Sequence, residues 1–298
     1  MKPLDPALLE DYDHFPRIEE AFGRALDESL NPRGPDSLYD IVEPLALVRG
    51  AKALDLGCGE GKQSIELARR FGFAVIGVDP VPRHIDLASE AAKAAGVDAR
   101  FELGRAEAIP LADASVDLIW CREVMVLVAD LSAAFAECWR VLREGGRMLL
   151  YQMFATELME PREAERLFGR TDSQAPSWDA QKLEDAFARA GFDIDRQIDF
   201  GGEWGEFAQE RRGDGGRQLV HAARLLRDPE RYIAQFGRRN YEIKLGDTTW
   251  HVYRMIGKLS GRAYLLKRNR ARTSGGPGPA GRPLTLGRNP CQEACAGA

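Results

Sequence analysis

The feature that most restricts this chain is a glycine-dense loop set between a strand pattern and a helix pattern. Ala51–Leu56 reads as an apolar strand, Gly57-Cys58-Gly59-Glu60-Gly61 follows at once, and Gln63–Phe71 places Ile65, Leu67, Ala68 and Phe71 at helical spacing. Glycine supplies the sharp turn and the close backbone approach to a ligand that such a junction demands. Strand, glycine turn and helix in that order open a βαβ unit, whose ligands sit at the carboxyl edge of a parallel sheet.

The alternation continues down the chain. Ala74–Asp79 reads as a second strand, Pro82 opens an Ala-rich helix that stops at Gly96, and Ala99, Phe101 and Leu103 alternate on a third strand. Val116–Cys121 is a fourth strand, a helix carries Leu131, Ala134, Phe135, Cys138, Val141 and Leu142 up to Gly145-Gly146, and Arg147–Phe154 is a fifth. Ser177 is placed to cap a helix bearing Leu183, Ala186, Phe187 and Ala190, Phe192–Phe200 reads as a sixth strand, and Arg262–Arg268 as a last one. The expected class is therefore α/β, a mostly parallel seven-stranded sheet with helices on both faces and a helical insertion before the last strand. Its divisions are an N-terminal helical lid over 1–50, a core over 51–200, a cap over 201–261, the last strand over 262–270 and a Gly/Pro-rich, disordered tail over 271–298. In the cap, Leu219, Ala222, Ala223 and Leu226 form an apolar stripe, and Asp228-Pro229 reads as a helix cap with a first-turn proline.

Composition narrows the classes further. At 44% hydrophobic residues the chain can bury a full core, and 41 basic against 46 acidic residues leave a net charge of -5 with both signs mixed, which argues against a nucleic-acid surface. The opening MKPLDPALLEDYDH has no apolar leader and no run approaches bilayer length, so no membrane partner and a cytoplasmic setting are expected. Cys58, Cys121, Cys138, Cys291 and Cys295 suit reduced thiols, and no ligand cluster suggests a metal. Nothing readable fixes an oligomeric state.

The loop chemistry separates three readings. A phosphate-binding P-loop needs Gly where Leu56 stands and Ser or Thr where Gln63 stands. The dinucleotide fingerprint reads G-x-G-x-x-G where this loop has G-x-G-x-G, a spacing that opposes the alternative of a nicotinamide dehydrogenase. Asp55, two positions before the first glycine, would repel a pyrophosphate but suits a ligand with a cationic amino group and a sulfonium. S-adenosylmethionine is such a ligand, and Asp79 ends the second strand where a carboxylate accepts ribose hydroxyls.

With Leu54–Gly61, Gly77-Val78-Asp79-Pro80, Gly104-Arg105-Ala106-Glu107-Ala108-Ile109-Pro110, Val116–Ile119 and Trp139–Gly146 taken together, the chain resembles the class I, Rossmann-like S-adenosylmethionine-dependent methyltransferases. Within them it is most similar to the quinone-pathway C-methylases and other small-molecule methyltransferases, over about Tyr39 to Gly191. The resemblance implies an enzyme that converts S-adenosylmethionine to S-adenosylhomocysteine. It places Gly57, Cys58 and Gly59 along the methionine part, Asp79 with Pro80 at the ribose, Ala106 and Glu107 beside the adenine, and Cys121 and Arg122 near the methionine end. Arg105 stands where the family often has Asp.

The acceptor is expected to be a small molecule, such as one of secondary metabolism, held between the N-terminal segment and the cap. Glu203, His221 and Tyr39 are the candidate catalytic groups, and Tyr12, Trp204, Phe207, Arg238 and Tyr241 the candidate substrate contacts. Carboxylates among aromatics, with nearby arginines, resemble in character enzymes that methylate carbon in isoprenoid diphosphates. Oxygen or nitrogen methylation of a natural product is the equal alternative, and a non-catalytic S-adenosylmethionine-binding regulator a further one.

Overall fold

Burial divides each central strand by alternate residues, which is what a sheet covered on both faces requires. In β1 (Lys52–Leu56) Leu54 and Leu56 enter one core and Ala53 the other; in β4 (Val116–Arg122) Ile119 and Cys121 face the first, Leu118 and Trp120 the second. The computed structural model describes residues 6–171 and 178–269. The remaining strands are β2 (Ala74–Asp79), β3 (Ala99–Leu103), β5 (Leu142–Ala155), β6 (Phe192–Gly201) and β7 (Leu259–Arg268), in the sheet order β3-β2-β1-β4-β5-β7-β6. β7 runs antiparallel between β5 and β6, and every other neighbouring pair is parallel. The seven-stranded, mostly parallel fold is the one the sequence implies.

The first core packs α5 (Leu131–Val141) and α7 (Ala180–Arg189) through Phe135, Cys138, Leu183 and Phe187; the second packs α2 (Ser37–Val42), α3 (Lys62–Phe71) and α6 (Pro161–Thr171). α4 (Pro82–Ala95) lies against β3 and β2. Before them, α1 (Pro6–Leu26) presents Phe15, Ile18, Phe22 and Leu26 along one exposed stripe. Between β6 and β7 come α8 (Glu203–Arg212), α9 (Asp214–Arg227), α10 (Pro229–Phe236) and α11 (Arg238–Met255), the expected helical insertion.

Four local expectations shift. β7 begins at Leu259 rather than Arg262, because its ladder with β5 extends to the Leu259–Ala155 pair. β5 begins at Leu142, so Gly145 and Gly146 lie inside the strand rather than closing the helix. The cap of α7 is Asp179, which accepts from the Gln181 and Lys182 backbone N–H groups; Ser177 lies outside the described residues, as does the expected tail. In α9 the covered face is Ala222 and Leu225, which meets Tyr241 and Leu245 of α11, while Leu219 and Leu226 are exposed. Asp228 does cap α10, with Pro229 in its first turn.

Candidate active site

Loops after β1, β2, β3 and β4 enclose a cavity of about 810 Å³ at the carboxyl edge of the sheet, within the size range of small-molecule sites. Its floor is the glycine loop, and the loop's shape follows from residues that can take positive φ: Gly57 at 71°, Gly59 at 52° and Gly61 at 83°. The Gly57 N–H donates to the Val78 carbonyl at 2.8 Å, tying the turn to β2. A Cβ on Gly61 would stand 2.9 Å from that of Ala88, so α4 packs directly on the loop.

Asp79 ends β2 nearly buried, at 7% exposure. Its Oδ2 accepts the Gly59 N–H at 3.0 Å, and its Oδ1 accepts the Val81 N–H at 3.0 Å and lies 3.0 Å from His84 Nδ1. Each carboxylate oxygen has lone pairs for about two donors, so Oδ2 keeps one acceptor site for a ligand hydroxyl. His84 was not among the residues the sequence singled out. Its position in the first turn of α4, five residues past Asp79, was the available signal.

Farther along the same cavity, Arg105 pairs with Glu107 at 3.5 Å beside the buried Ala106. Arg105 thereby turns its charge onto Glu107 where the resemblance would have an Asp. Val81, Leu103 and Leu127 are exposed apolar side chains, and all three line this cavity, giving it a surface suited to a flat, weakly polar ring.

Asp55 lies below the loop, 2% exposed, and accepts the Ser64 hydroxyl at 2.5 Å. Burial pushes its carboxyl up to about 6, opposed by the Ser64 hydrogen bonds and by Arg122. A carboxyl whose folded pKa is raised stabilises the fold least when ionised. This contribution is therefore full below about pH 4 and falls away as pH climbs through 6, by about 3 kcal/mol at most. Asp55→Asn is expected to match the parent protein in urea denaturation near pH 4.5 and to exceed it by about 1–2 kcal/mol near pH 7.5, without ligand. An identical stability difference at both pH values would remove Asp55 as the titrating group.

A second cavity of about 540 Å³ opens beside the first and shares Arg122, Glu123 and Leu127 with it. Its other walls come from α6 and α11 through Arg170, Trp250, His251 and Arg254. A cleft of about 290 Å³ above Asp55 also reaches Arg122 and Glu123, so three spaces meet at these two residues. Glu123 holds φ at 57°, an uncommon backbone state for a non-glycine residue, and its N–H donates to the Tyr151 carbonyl at 2.8 Å. Burial raises its carboxyl pKa, against the pull of Arg122 and Arg254. Arg122 lies over the Trp204 ring at 5.1 Å, and Trp204 stacks on Tyr151 at 4.1 Å.

The residues expected to do catalysis fall in three separate places. Tyr39 is in the second core, stacked on Trp120 at 4.8 Å with Arg70 over its other side, and burial pushes its phenol up to about 12. Glu203, at the start of α8, is held by Arg33: the Arg33 backbone N–H and Nε donate to Oε2 at 2.9 and 2.8 Å, and Nη2 reaches Oε1. That ion pair holds the Glu203 carboxyl below its ordinary range and ties the N-terminal segment to the cap. His221 and Tyr241 line a cavity of about 400 Å³ inside the cap, which shares no lining residue with the two large carboxyl-edge cavities; the Tyr241 hydroxyl donates to the Leu225 carbonyl at 3.3 Å.

Of the other expected contacts, Trp204 is buried beneath Arg122, and Phe207 covers Gly34, whose Cβ would come within 2.7 Å of the ring. Arg238 is exposed, and the side chain of Tyr12 lies outside the described residues. Cys58 is buried in the loop, and Cys121 faces the first core. Pro80 lines the 810 Å³ cavity alongside Asp79. Among the described residues no helix is long and apolar enough to cross a membrane.

Residues 54–150 match the family model described as a methyltransferase domain. The chain is 37% identical over 125 residues to methyltransferase GfsG of Streptomyces halstedii, covering 41% of this chain and 45% of that protein. It is 38% identical over 119 residues to the demethylmenaquinone methyltransferase of Deinococcus radiodurans, covering 40% and 46%. The chain thus spans less than half the length of these curated relatives. Among solved structures, it superposes on a geranyl diphosphate C-methyltransferase from Streptomyces coelicolor, in complex with Mg2+, geranyl diphosphate and S-adenosyl-L-homocysteine. The TM-score is 0.58 at 17% identity, over 78% of this chain and 77% of that one.

Proposed function

We propose that this chain, which carries a methyltransferase domain within a class I Rossmann-like fold, transfers a methyl group from S-adenosylmethionine to a small-molecule acceptor. The observation that carries the reading is the meeting of two cavities at Arg122 and Glu123, one floored by the glycine loop and Asp79, the other walled by the cap. The residues present fit the cofactor. Gly59 has open space where a Cβ would stand, the open lone pair of Asp79 suits a ribose hydroxyl, Val81, Leu103 and Leu127 suit the adenine ring, and the Asp55 side suits an ammonium group. Bound there, S-adenosylmethionine supplies an electrophilic methyl group on a sulfonium centre.

The protein's own part is chiefly to hold the acceptor in line and to exclude water. The Glu123 carboxyl stands where both spaces join and makes no hydrogen bond or salt bridge among the described residues, so we assign it the proton of an acceptor hydroxyl or amine. The acceptor oxygen or nitrogen forms the new bond to carbon, its proton passes to the Glu123 carboxylate, and the pair of the broken C–S bond stays on sulfur. This favours oxygen or nitrogen methylation over the carbon-methylating alternative. Tyr39 and Glu203 keep packing and ion-pairing roles in this scheme, and the open chamber beside the cofactor cavity speaks for turnover rather than mere binding.

Calorimetric titration with S-adenosylmethionine, S-adenosylhomocysteine and NADH tests the reading. Micromolar binding of both adenosyl ligands and none of NADH is expected, and failure of both adenosyl ligands to bind would overturn it.

A further inference from the structure

Resting on the methyl-transfer reading, we propose that the 540 Å³ chamber grips its acceptor by an oxyanion, a carboxylate or a phosphate, seated on Arg254 with Arg122 beside it. Of the other charged side chains around this chamber, Arg170 and Asp247 are matched, while Glu123 feels only the longer-range pull of Arg122 and Arg254. Arg170 pairs with Glu242 at 2.7 Å, and Asp247 is taken by Lys244 at 2.7 Å and by His251 at 3.6 Å. Among the described residues neither Arg122 nor Arg254 has a carboxylate within salt-bridge distance, and Glu123 acts on them only from farther off. The Nε of Arg254 is buried with no hydrogen-bond acceptor, and its Nη2 meets only His251 Nδ1, at 3.3 Å.

A buried N–H donor left without a partner costs about 1–3 kcal/mol, and more when charged, so such a group is retained where something else completes it. Burial lowers the Arg254 pKa, opposed by Tyr151 and Glu123, with a smaller push down from Arg122, so the guanidinium is a desolvated cation that its surroundings only partly compensate. A bound oxyanion would give the buried Nε its missing acceptor, and the guanidinium fork matches the paired oxygens of carboxylate and phosphate alike.

The layout also orients the guest. Arg254 lines the cap side of the chamber and not the cofactor cavity, whereas Arg122 and Glu123 line both. Glu123 would repel an oxyanion placed next to it, so the anion sits toward α11 and the acceptor's reacting oxygen or nitrogen points back to Glu123 and the cofactor. Trp250, in the wall between, offers an apolar face for the body of the molecule. The predicted acceptor class is thus a small hydroxy or amino compound with an acidic group at its far end.

The test is calorimetric titration of the full chain with inorganic phosphate and, separately, with acetate, with and without saturating S-adenosylhomocysteine. At least one anion is expected to bind, and Arg254→Gln to weaken it about tenfold or more while the affinity for S-adenosylhomocysteine is kept. Tighter phosphate binding would assign a phosphorylated acceptor, and tighter acetate binding a carboxylic acid. Absence of binding by both anions, or equal binding to Arg254→Gln with the cofactor product still bound, would overturn the proposal. Should Arg254→Gln lose S-adenosylhomocysteine as well, Arg254→Lys decides: weakened anion binding with the product still bound supports the seat, and undiminished anion binding overturns it. Anion binding by a wild-type chain that fails to bind S-adenosylhomocysteine would strike the methyl-transfer reading alone.

Discussion

Gly57→Ala is expected to abolish measurable S-adenosylhomocysteine binding and to lower the unfolding free energy by about 2–5 kcal/mol. Two costs add. The backbone there has φ at 71°, where an L side chain pays about 1–2 kcal/mol. The new methyl would also stand 2.4 Å from Val124 Cγ2, and a β-branched side chain has few ways to yield. Relief of that overlap by moving the loop would tilt the cofactor floor and the wall that Val124 forms. Urea denaturation and calorimetry read the two effects separately. Adding Val124→Ala is expected to recover the overlap part of the stability loss, about 1–3 kcal/mol, and not the backbone part. A Gly57→Ala protein that binds S-adenosylhomocysteine like the parent would show that the loop is not the cradle.

Asp79→Ala should weaken S-adenosylmethionine binding about a hundredfold, close to 3 kcal/mol. The carboxylate is proposed to accept a ribose hydroxyl, and it also fixes Gly59 and Val81 through their N–H groups and holds His84. Its loss therefore removes a ligand contact and loosens the loop that makes the others. The cost to the empty protein is smaller, about 1–3 kcal/mol for donors left partly buried. Asp79→Asn, which keeps one carbonyl acceptor but turns an N–H₂ toward a backbone donor, is expected to fall between. Unchanged affinity in Asp79→Ala would take the residue out of the site.

The cavity proposed for the cofactor was legible because its parts are local. A glycine loop, a strand-ending carboxylate and a Gly-Arg-Ala-Glu turn each declare their backbone role within a few residues, and the parallel sheet then brings their ends to one edge. The acceptor side was not legible in the same way. Glu123 and Arg254 lie 131 positions apart and meet only because α11 folds back over the end of β4. Glu203 looked catalytic as one of two carboxylates among aromatics, but its fate was decided by Arg33, 170 residues earlier. His221 and Tyr241 do share a cavity, though a separate one, since helix periodicity shows which residues share a face and not what that face covers. Tyr39 reads as a functional tyrosine until Trp120 and Arg70 are seen to enclose its ring.

The cap leaves the sheet after Gly201 and rejoins it at Leu259, two residues before Gly261, the partner of Gly201 in the β6–β7 ladder. Fifty-seven residues thus depart and come home through a single doorway, so to the rest of the molecule they are one long hairpin loop. Joining ends that are already adjacent costs chain entropy that grows only logarithmically with the length between them. A different cap of different length can be spliced at that doorway while the sheet, the glycine loop and the cofactor floor keep their register. On the proposed reading the architecture separates two tasks: the ladder preserves the methyl-donor site, and the cassette hung on it is free to be rewritten for each new acceptor.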